Sequence, residues 1–177
     1  MKTIIIMAES LDGVIAHDKD HTANWTSKED KQFFVAETKK GGAIVFGRNT
    51  FATFGDRPLP GRLNYVMTMN PEDKKLEKPG LLEFVVNTPP AEVLKNLKKR
   101  GFKKVFIGGG SMINSLFFDK QLIDELWITV EPKIFGFGMR ILSDVKRDVN
   151  LHLKSVKKAN QTVLLKYGVN YGNSDKE

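Results

Sequence analysis

The sequence contains no cysteine, and this absence excludes several kinds of chemistry. Disulfide bonds, thiolate metal sites and cysteine nucleophiles cannot form without a thiol. Histidine is scarce, and no histidine stands suggestively near Ser10 or Ser111, so a hydrolytic triad has little support. The segment from His17 to His21 holds metal-ligand residue types, but its spacing matches no known site pattern. We therefore expect no bound metal.

Long apolar runs are absent as well. No stretch approaches the roughly 18 consecutive apolar residues that a membrane-spanning helix needs. The chain begins with the apolar run from Thr3 to Met7, without the basic leader and cleavage site of a signal peptide. We expect a cytoplasmic protein with no membrane partner.

What remains is the composition of an ordinary globular protein. The chain has 177 residues, of which 41% are hydrophobic and 28% are charged, and these values suit one domain with a sizeable core. We expect that domain to span residues 1–171 and a disordered polar tail to follow over residues 172–177. The sequence is compatible with either a monomer or a homodimer.

The formal net charge of +7 has two interpretations. Basic residues cluster in one segment and could form a nucleic-acid surface: Lys95, Lys98, Lys99, Arg100, Lys103 and Lys104. Alternatively they form a solvated helix face with a general attraction for anions. No aromatic residues interleave with the cluster, as a single-strand binder would need, so we expect no nucleic-acid partner. A phosphate-rich cofactor would also benefit from positive potential.

Short apolar or β-branched runs alternate with helical patterns along the chain. Strands are predicted at Ile4–Ala8, Ala43–Phe46, Asn64–Thr68, Leu82–Val86, Lys104–Ile107 and Glu125–Val130. Helices are predicted after the cap signal at Thr26–Asp30, from Pro89–Pro90 to before Gly101, and at Ser111–Phe118. Segments Asn150–Val156 and Thr162–Asn170, joined through Lys157–Gln161, predict a β-hairpin. The pattern indicates an α/β sheet, mostly parallel, with antiparallel strands at its C-terminal end.

Two turns at predicted strand ends could hold phosphate. Gly108, Gly109 and Gly110 follow a buried-type strand and precede a helix, where free N–H groups and the helix dipole attract anions. Their spacing is not that of the Rossmann fingerprint, and a simple tight turn is the alternative. Gly47 and Arg48 form a second such turn. Together the turns predict a dinucleotide site at the carboxyl ends of neighbouring strands.

Asp30, in the first turn of the first helix, also has two interpretations. An acid in this position complements the helix dipole and assists the cap. A carboxyl group beside aromatic residues such as Trp25, Phe33 and Phe34 tends instead to have a raised pKa and can supply a proton.

Several motifs, in the same order, resemble those of dihydrofolate reductases. Gly47–Phe51 and Arg57–Arg62 resemble the family's GR-x-T-[WF] … RPLPGR block, with Asp56 inserted. Ala8–Ala16 is similar to the first strand and mobile loop, Ile107–Ser111 to the glycine turn, and Leu126–Thr129 to a later strand. The resemblance runs from Lys2 to Tyr171. It implies a three-layer α/β/α fold with a central, mostly parallel sheet and a C-terminal antiparallel hairpin.

The resemblance also implies residue roles in the reduction of dihydrofolate by NADPH. The catalytic set would be Asp30, Trp25 and Thr129. Asp30 and Thr129 would hold the 2-amino-pyrimidine edge of the pterin, and Asp30 would assist protonation at N5 while hydride arrives at C6. The substrate pocket would be lined by Ile6, Met7, Phe34, Phe54, Leu59 and Ile107, and Arg62 would pair with the substrate's glutamate carboxylate.

NADPH would be the cofactor, with Arg48 favouring its 2′-phosphate. The residues implied to contact it are Ala8, Ile15, Gly47, Arg48, Asn49, Thr50, Met67, Thr68, Met69, Gly108, Gly109, Gly110, Ser111 and Met112. The loop from Gly13 to Trp25 would close over the nicotinamide.

Some residues depart from that family. Ile113 stands where a tyrosine is usual, and Met69 stands where a 2′-phosphate-binding hydroxyl is common. Glu131–Gly138, Ser10–Gly13 and Trp25–Ser27 look more like the related riboflavin-pathway reductase domain, which reduces a ribosylamino-pyrimidine phosphate. Dihydrofolate reduction is the expected activity. Pyrimidine reduction is the alternative, and a non-catalytic nucleotide-binding module is a second one.

Overall fold

The computed structural model describes residues 1–146 and 148–172. Within these ranges the chain forms eight strands, four α-helices and two 3-10 turns. The strands are β1 (Lys2–Ser10), β2 (Ala43–Gly47), β3 (Leu63–Thr68), β4 (Leu82–Val86), β5 (Lys104–Ile107), β6 (Glu125–Glu131), β7 (Asn150–Ala159) and β8 (Thr162–Asn170). The helices are α1 (Lys28–Gly41), α2 (Arg48–Ala52), α3 (Pro90–Lys99) and α4 (Ser111–Asp119), and the 3-10 turns are Ala23–Trp25 and Pro71–Leu76.

One sheet contains all eight strands, in the order β4-β3-β2-β5-β1-β6-β8-β7. The pairs from β4 to β6 are parallel, whereas β8 is antiparallel to both β6 and β7. The predicted fold, a mostly parallel sheet with a C-terminal antiparallel hairpin, is therefore confirmed. The hairpin turn is shorter than predicted, because Lys157 and Lys158 are paired strand residues and Asn160, at φ 56°, forms the turn.

Helices cover both faces of the sheet. On one face, α1 and α2 contribute Phe34 and Phe51 to a core that includes Phe46 and Phe106. On the other face, α3 and α4 pack Leu97 and Phe117 against the opposite side chains of the strands. Strands β2 and β3 are buried at every position, as expected for strands covered on both faces; β2 is an unbroken apolar run, whereas β3 also buries Asn64 and Thr68. No helix in the described part of the chain is long and apolar enough to cross a membrane.

The cap signal at the start of α1 is also confirmed. The hydroxyl of Ser27, the N-cap residue, accepts a hydrogen bond from the backbone N–H of Asp30 at 3.1 Å. The helix ends at Gly42, whose φ of 82° is the left-handed conformation that favours glycine. The Ser27 cap fixes the first turn of α1, and with it Asp30, at the carboxyl end of the sheet. The tail predicted for residues 172–177 lies, from residue 173 onward, outside the described residues.

Candidate active site

A cavity of about 340 Å³ opens at the carboxyl ends of the central strands. Its lining is mostly apolar, and two carboxyl groups contribute to it, that of Asp18 in the loop after β1 and that of Asp30 in α1. The wall includes many of the predicted site residues: Ile6, Met7, Ala8, Ile15, Trp25, Asp30, Phe34, Thr50, Phe54, Leu59, Gly108 and Gly110. These residues are spread over more than one hundred positions of the sequence, and the parallel strands bring them to one edge.

The glycine turn after β5 forms one wall of this cavity. A Cβ atom on Gly108 would overlap the ring of Phe46, so the backbone lies against β2 more closely than any larger residue permits. Gly109, at φ 93°, accepts a hydrogen bond from the N–H of Gly47 at 2.8 Å, and the peptide between Gly109 and Gly110 is cis. The turn therefore ties the two predicted phosphate-binding segments together.

The start of α4 leaves donors available beside this turn. Gly110 is the N-cap and provides no side-chain cap, and the first intrahelical bond is that from Asn114 N to Gly110 O, at 3.0 Å. The backbone N–H groups of the first turn thus have no capping side chain. Thr50 adds a hydroxyl, which lies 3.0 Å from the place where a Cβ of Gly110 would be. These groups fit a pyrophosphate, which needs several convergent donors and a close backbone.

Asp30 lies half-buried on the cavity wall. Burial raises the pKa of its carboxyl group above the usual value of 3.8, because the surrounding apolar residues disfavour the charged form. Hydrogen bonds from the hydroxyls of Thr129 and Thr26 oppose that rise, and the nearby carboxylate of Glu131 adds to it. The proton of Asp30 is therefore retained to a higher pH than that of an exposed aspartate.

Glu131, the last residue of β6, lies behind Asp30 and is hydrogen-bonded to the cap of α1. Glu131 is 2% exposed, and one of its oxygens accepts hydrogen bonds from the backbone N–H and the hydroxyl of Ser27, at 2.9 and 2.8 Å. The same Ser27 hydroxyl accepts the bond from Asp30 N. Glu131 does not line the cavity. It holds the first turn of α1 against the sheet, so it acts on Asp30 through Ser27.

The loop after β1 is attached to the segment that follows β6. The carboxylate of Asp12 accepts hydrogen bonds from Ser10 Oγ at 2.6 Å and from the backbone N–H groups of Gly136 and Phe135, at 2.7 and 3.1 Å. The Ser10 hydroxyl and these N–H groups lower the pKa of Asp12 to about 2. The ring of Trp25 meets the ring of Phe135 edge-on, with centroids 4.8 Å apart. Both loops thus border the cavity as one unit.

Arg48 and Thr68 do not reach the cavity. They lie beyond it, at the ends of β2 and β3, where Arg48 pairs with Asp56 at 2.6 Å and with Asp73 at 3.2 Å. Thr68 donates its hydroxyl proton to the same Asp73. Burial acts against the charged guanidinium, but the bonds to Asp56 and Asp73 outweigh it and raise the pKa of Arg48.

Arg62, the predicted partner of a substrate carboxylate, is 5% exposed. Its Nε donates to the carbonyl of Pro60 at 3.3 Å, and its Nη1 donates to the hydroxyl of Thr38 and, at 3.5 Å, to the carbonyl of Val35. Burial lowers the pKa of Arg62. The guanidinium is therefore held by neutral oxygens behind the cavity, with no carboxylate as its partner among the described residues.

Other predicted site residues are divided between core and surface. Ile107 is fully buried, so its side chain does not reach the cavity as the prediction required; the pleat of β5 directs it into the core under α3 and α4. Met67 belongs to the same core. Met69 and Met112 are largely exposed beyond the ends of β3 and Gly110, and Asn49 lies on the exposed side of α2. Ser111 and Gly47 are buried at the helix starts.

Sequence reasoning missed several residues that shape the site. Glu131 and Asp12 carry no local signal of a site, because their partners lie 104 and 124 positions away. Thr26 was placed only in the cap segment, yet its hydroxyl bonds to Asp30. The polar rim is formed partly by Lys19, His21 and Lys31. The sequence offers one usable hint, which is that Glu131, a charged residue, ends a strand that is buried along most of its length.

Comparison with known proteins agrees with this architecture. Among curated proteins, the chain is similar to the uncharacterized protein YwjB of Bacillus subtilis, with 27% identity over 178 residues that cover 94% of this chain and 97% of the relative. RibD of Acinetobacter baumannii superposes with a TM-score of 0.80 at 17% identity, over 96% of this chain and 58% of that chain. Dihydrofolate reductase from Enterococcus faecalis, complexed with NADP(H) and RAB-propyl, superposes with a TM-score of 0.69 at 23% identity, over 96% of each chain.

The resemblance to both reductase groups is therefore confirmed at the level of the fold. The family assignment comes from the sequence, because residues 2–165 match the model of the RibD C-terminal domain. That match spans β1 to β8 and includes the glycine turn, Asp30 and the residues around the cavity. The chain belongs to the RibD C-terminal domain family.

Proposed function

We propose that this protein is an NADPH-dependent oxidoreductase that reduces a pterin, with 7,8-dihydrofolate as its substrate and tetrahydrofolate as its product. The observation that carries the proposal is the carboxyl group of Asp30, half-buried in an apolar cavity that the glycine turn also lines. A proton donor and a phosphate-binding turn thus border the same space. That combination suits the addition of hydride and proton across a ring C=N bond.

The residues around the glycine turn would hold the cofactor. The N–H groups at the start of α4, with the hydroxyl of Thr50, would bind its pyrophosphate. Gly108 and Gly110 line the cavity, so a nicotinamide ring that follows them would lie beside Met7 and Ala8. When bound, NADPH supplies the hydride. The chain orients the ring and excludes water from it.

Asp30 would bind the substrate ring and supply the proton. An aspartate can accept two N–H bonds from a 2-amino-pyrimidine edge, and such charge-assisted pairs are strong. The hydroxyls of Thr129 and Thr26 fix the orientation of the carboxyl group. Because burial raises its pKa, Asp30 can retain a proton nearer to neutral pH, and this proton would reach N5 through water while C6 accepts the hydride.

The rest of the cavity fits the benzoyl part of a folate. Phe34 and Leu59 form apolar walls beyond Asp30, and the ring of Phe54 packs edge-on against Phe46, with centroids 5.3 Å apart. An aromatic ring gains from contacts of this kind. Arg62 is the proposed partner for the glutamate tail, because it has no carboxylate partner among the described residues; Thr38 and Pro60 hold it behind the cavity, so its guanidinium would have to turn toward the cavity to bind that tail.

A second candidate is the reduction of a ribosylamino-pyrimidine phosphate. The family match to the RibD C-terminal domain favours it, as do the cationic residues at the rim, Lys19 and Lys31, which could bind a substrate phosphate. The apolar depth of the cavity argues against it, because a ribose phosphate chain would leave Phe34, Phe54 and Leu59 without an apolar partner.

The test is a spectrophotometric comparison of the two substrates with the purified protein. We expect the absorbance of NADPH to fall when dihydrofolate is added and to stay unchanged with the pyrimidine substrate. Folded protein that oxidises NADPH only with the pyrimidine would overturn the folate assignment and support the second candidate. If neither substrate causes oxidation, the reductase proposal itself is wrong.

A further inference from the structure

Arg48, at the end of β2, is a cation whose charge is already compensated. As the first residue of α2 it is placed to meet a phosphate at the carboxyl edge of the sheet. Its Nη1 instead donates to Asp56 at 2.6 Å, and its Nε donates to Asp73 at 3.2 Å. The two carboxylates outnumber the guanidinium, so this group of three side chains is negative overall.

Asp73 is held firmly in this arrangement. It is 8% exposed, and its second oxygen accepts a hydrogen bond from the hydroxyl of Thr68 at the end of β3. The oxygen of Thr68 in turn accepts a bond from Asn70 N at 3.0 Å. Met69, which follows Thr68 in the sequence, is 76% exposed and offers no donor from its side chain. The hydroxyl of Thr68, which could have bound a phosphate here, therefore donates its proton to the carboxylate of Asp73.

The strand order places this group where the far end of a dinucleotide would lie. The cavity and its glycine turn border β1 and β5, and β2 and β3 follow in the sheet. A dinucleotide whose nicotinamide entered the cavity and whose other end followed this strand order would cross the end of β2 and bring its adenosine ribose toward β3. At that ribose, an acid accepts a hydrogen bond from the free 2′-hydroxyl of NADH, whereas an arginine pairs with the 2′-phosphate of NADPH.

We propose that the Arg48–Asp56–Asp73 cluster makes this chain a dual-cofactor protein, which binds NADH and NADPH with affinities within about tenfold of each other. The inference rests on the proposed function, because it needs a dinucleotide in this site. A 2′-phosphate gains the guanidinium of Arg48 only in competition with two carboxylates, one of them buried, and its own charge is repelled by both. A 2′-hydroxyl meets no such repulsion and can donate to the exposed carboxylate of Asp56.

The experiment measures equilibrium dissociation constants of NADPH and NADH by quenching of the intrinsic tryptophan fluorescence. The variants are Asp73→Asn, Asp56→Asn and the double variant, with Glu92→Gln, which changes an exposed carboxylate of α3 that does not line the cavity, as the matched control. Asn is chosen because it tolerates the positive φ of Asp56, 56°, and because it keeps an acceptor for Thr68. Asp56→Asn, at an exposed residue, keeps the test valid if Asp73→Asn fails to fold.

We expect a preference of less than tenfold in the unmodified protein and in Glu92→Gln. In the double variant the preference for NADPH over NADH should rise about tenfold or more, because Arg48 no longer pairs with two carboxylates. Asp56→Asn alone should give a smaller rise in the same direction. Adenosine 2′,5′-bisphosphate and 5′-AMP, used as fragments, should reproduce these ratios without any turnover. A preference above tenfold in the unmodified protein, or unchanged ratios in the variants, would overturn the inference. Binding of neither dinucleotide would overturn the proposed function, and the inference with it.

Discussion

At the scale of the residue, Asp30 serves both a structural and a chemical purpose. Its backbone N–H completes the cap of α1, while its side chain points to a cavity in which two hydroxyls orient it. Burial disfavours the charged form, and the two hydrogen bonds favour it. Burial is the larger effect, so the pKa rises, which suits the proton-donor role proposed for Asp30.

The substitution Asp30→Asn tests that role. The amide keeps the shape and can still bond to Thr129, but it has no proton to donate, so turnover at neutral pH should fall by about 100-fold or more. Binding of NADPH should change little, because the glycine turn is intact. Steady-state rates and fluorescence titrations check both expectations, with Glu92→Gln, at an exposed residue of α3, as the control. Full activity of Asp30→Asn would exclude this carboxyl as the proton source.

Glu131 gives a second prediction, which concerns the pH dependence of the rate. Its carboxylate raises the pKa of Asp30, and the reaction needs the protonated Asp30, so activity should decline as pH rises through that pKa. Glu131→Gln keeps an acceptor for Ser27 but removes the charge. The decline should therefore occur at lower pH than in the unmodified protein. A pH–rate profile with an unchanged or higher midpoint would contradict the assigned influence of Glu131.

Individual site residues were predictable from the sequence where their signal was local. Asp30 stands next to a cap residue and two aromatic residues, and the glycines stand together in a strand–turn–helix unit. The partners of Arg48 lie 8 and 25 positions away from it, and the partner of Glu131 lies 104 positions away. Such pairs are created by the fold. No pattern within a single element indicates them.

At the scale of the element, β6 links the two parts of the sheet. It is parallel to β1 on one side and antiparallel to β8 on the other. At its first residue, Glu125 accepts hydrogen bonds from Lys2 at 2.7 Å, Lys154 at 2.6 Å and Trp127 Nε1 at 2.7 Å. A single buried carboxylate thus joins β1, β6 and β7.

Substitution of that carboxylate predicts a loss of stability. Burial tends to raise the pKa of Glu125, but bonds from Lys154, Lys2 and Trp127 outweigh it and hold the pKa at about 2, below the usual 4.5. Glu125→Gln keeps the shape but loses the charge, so the free energy of unfolding at pH 7 should fall by about 1–3 kcal/mol. Glu83→Gln, which removes a more exposed pair with Arg100, should cost less than about 1 kcal/mol. Urea denaturation of both variants measures the difference.

The pH dependence of the same measurement follows from the sign of the shift. The folded pKa of Glu125 is below the unfolded value, so its contribution is complete above about pH 4.5 and is lost as pH falls toward 2. The difference between the unmodified protein and Glu125→Gln should therefore shrink over this range. A difference that stays constant from pH 7 to pH 3 would show that packing, and not the charge of Glu125, stabilises this end of β6.

Elements were easier to predict than their contacts. The apolar run of β2 is unbroken because both faces of this strand are covered, and the sequence shows this pattern directly. In contrast, β7 is exposed along nearly its whole length, so Lys157 and Lys158 resembled a turn although they pair with β8. Hydrophobic patterning predicts an edge strand poorly because little of it is buried.

At the scale of the molecule, cofactor binding and stability are coupled. The proposed cofactor site includes the ends of β1, β2 and β5 and the start of α4, which belong to one continuous sheet and its helices. A ligand held by all of them binds only the folded chain. Its binding free energy is therefore added to the free energy of unfolding of the whole domain.

Thermal unfolding with and without cofactor tests this coupling. At a concentration about 100 times its dissociation constant, NADPH should add about 2.7 kcal/mol and raise the melting temperature by roughly 5–10 °C for a domain of this size. Asp30→Asn should show the same rise, since it alters the substrate side of the cavity, whereas Gly108→Ala should show a smaller one because the added Cβ displaces the turn. An equal rise in Gly108→Ala would mean that the cofactor does not bind at the glycine turn. The absence of any rise in the unmodified protein would mean that NADPH does not bind to the folded chain.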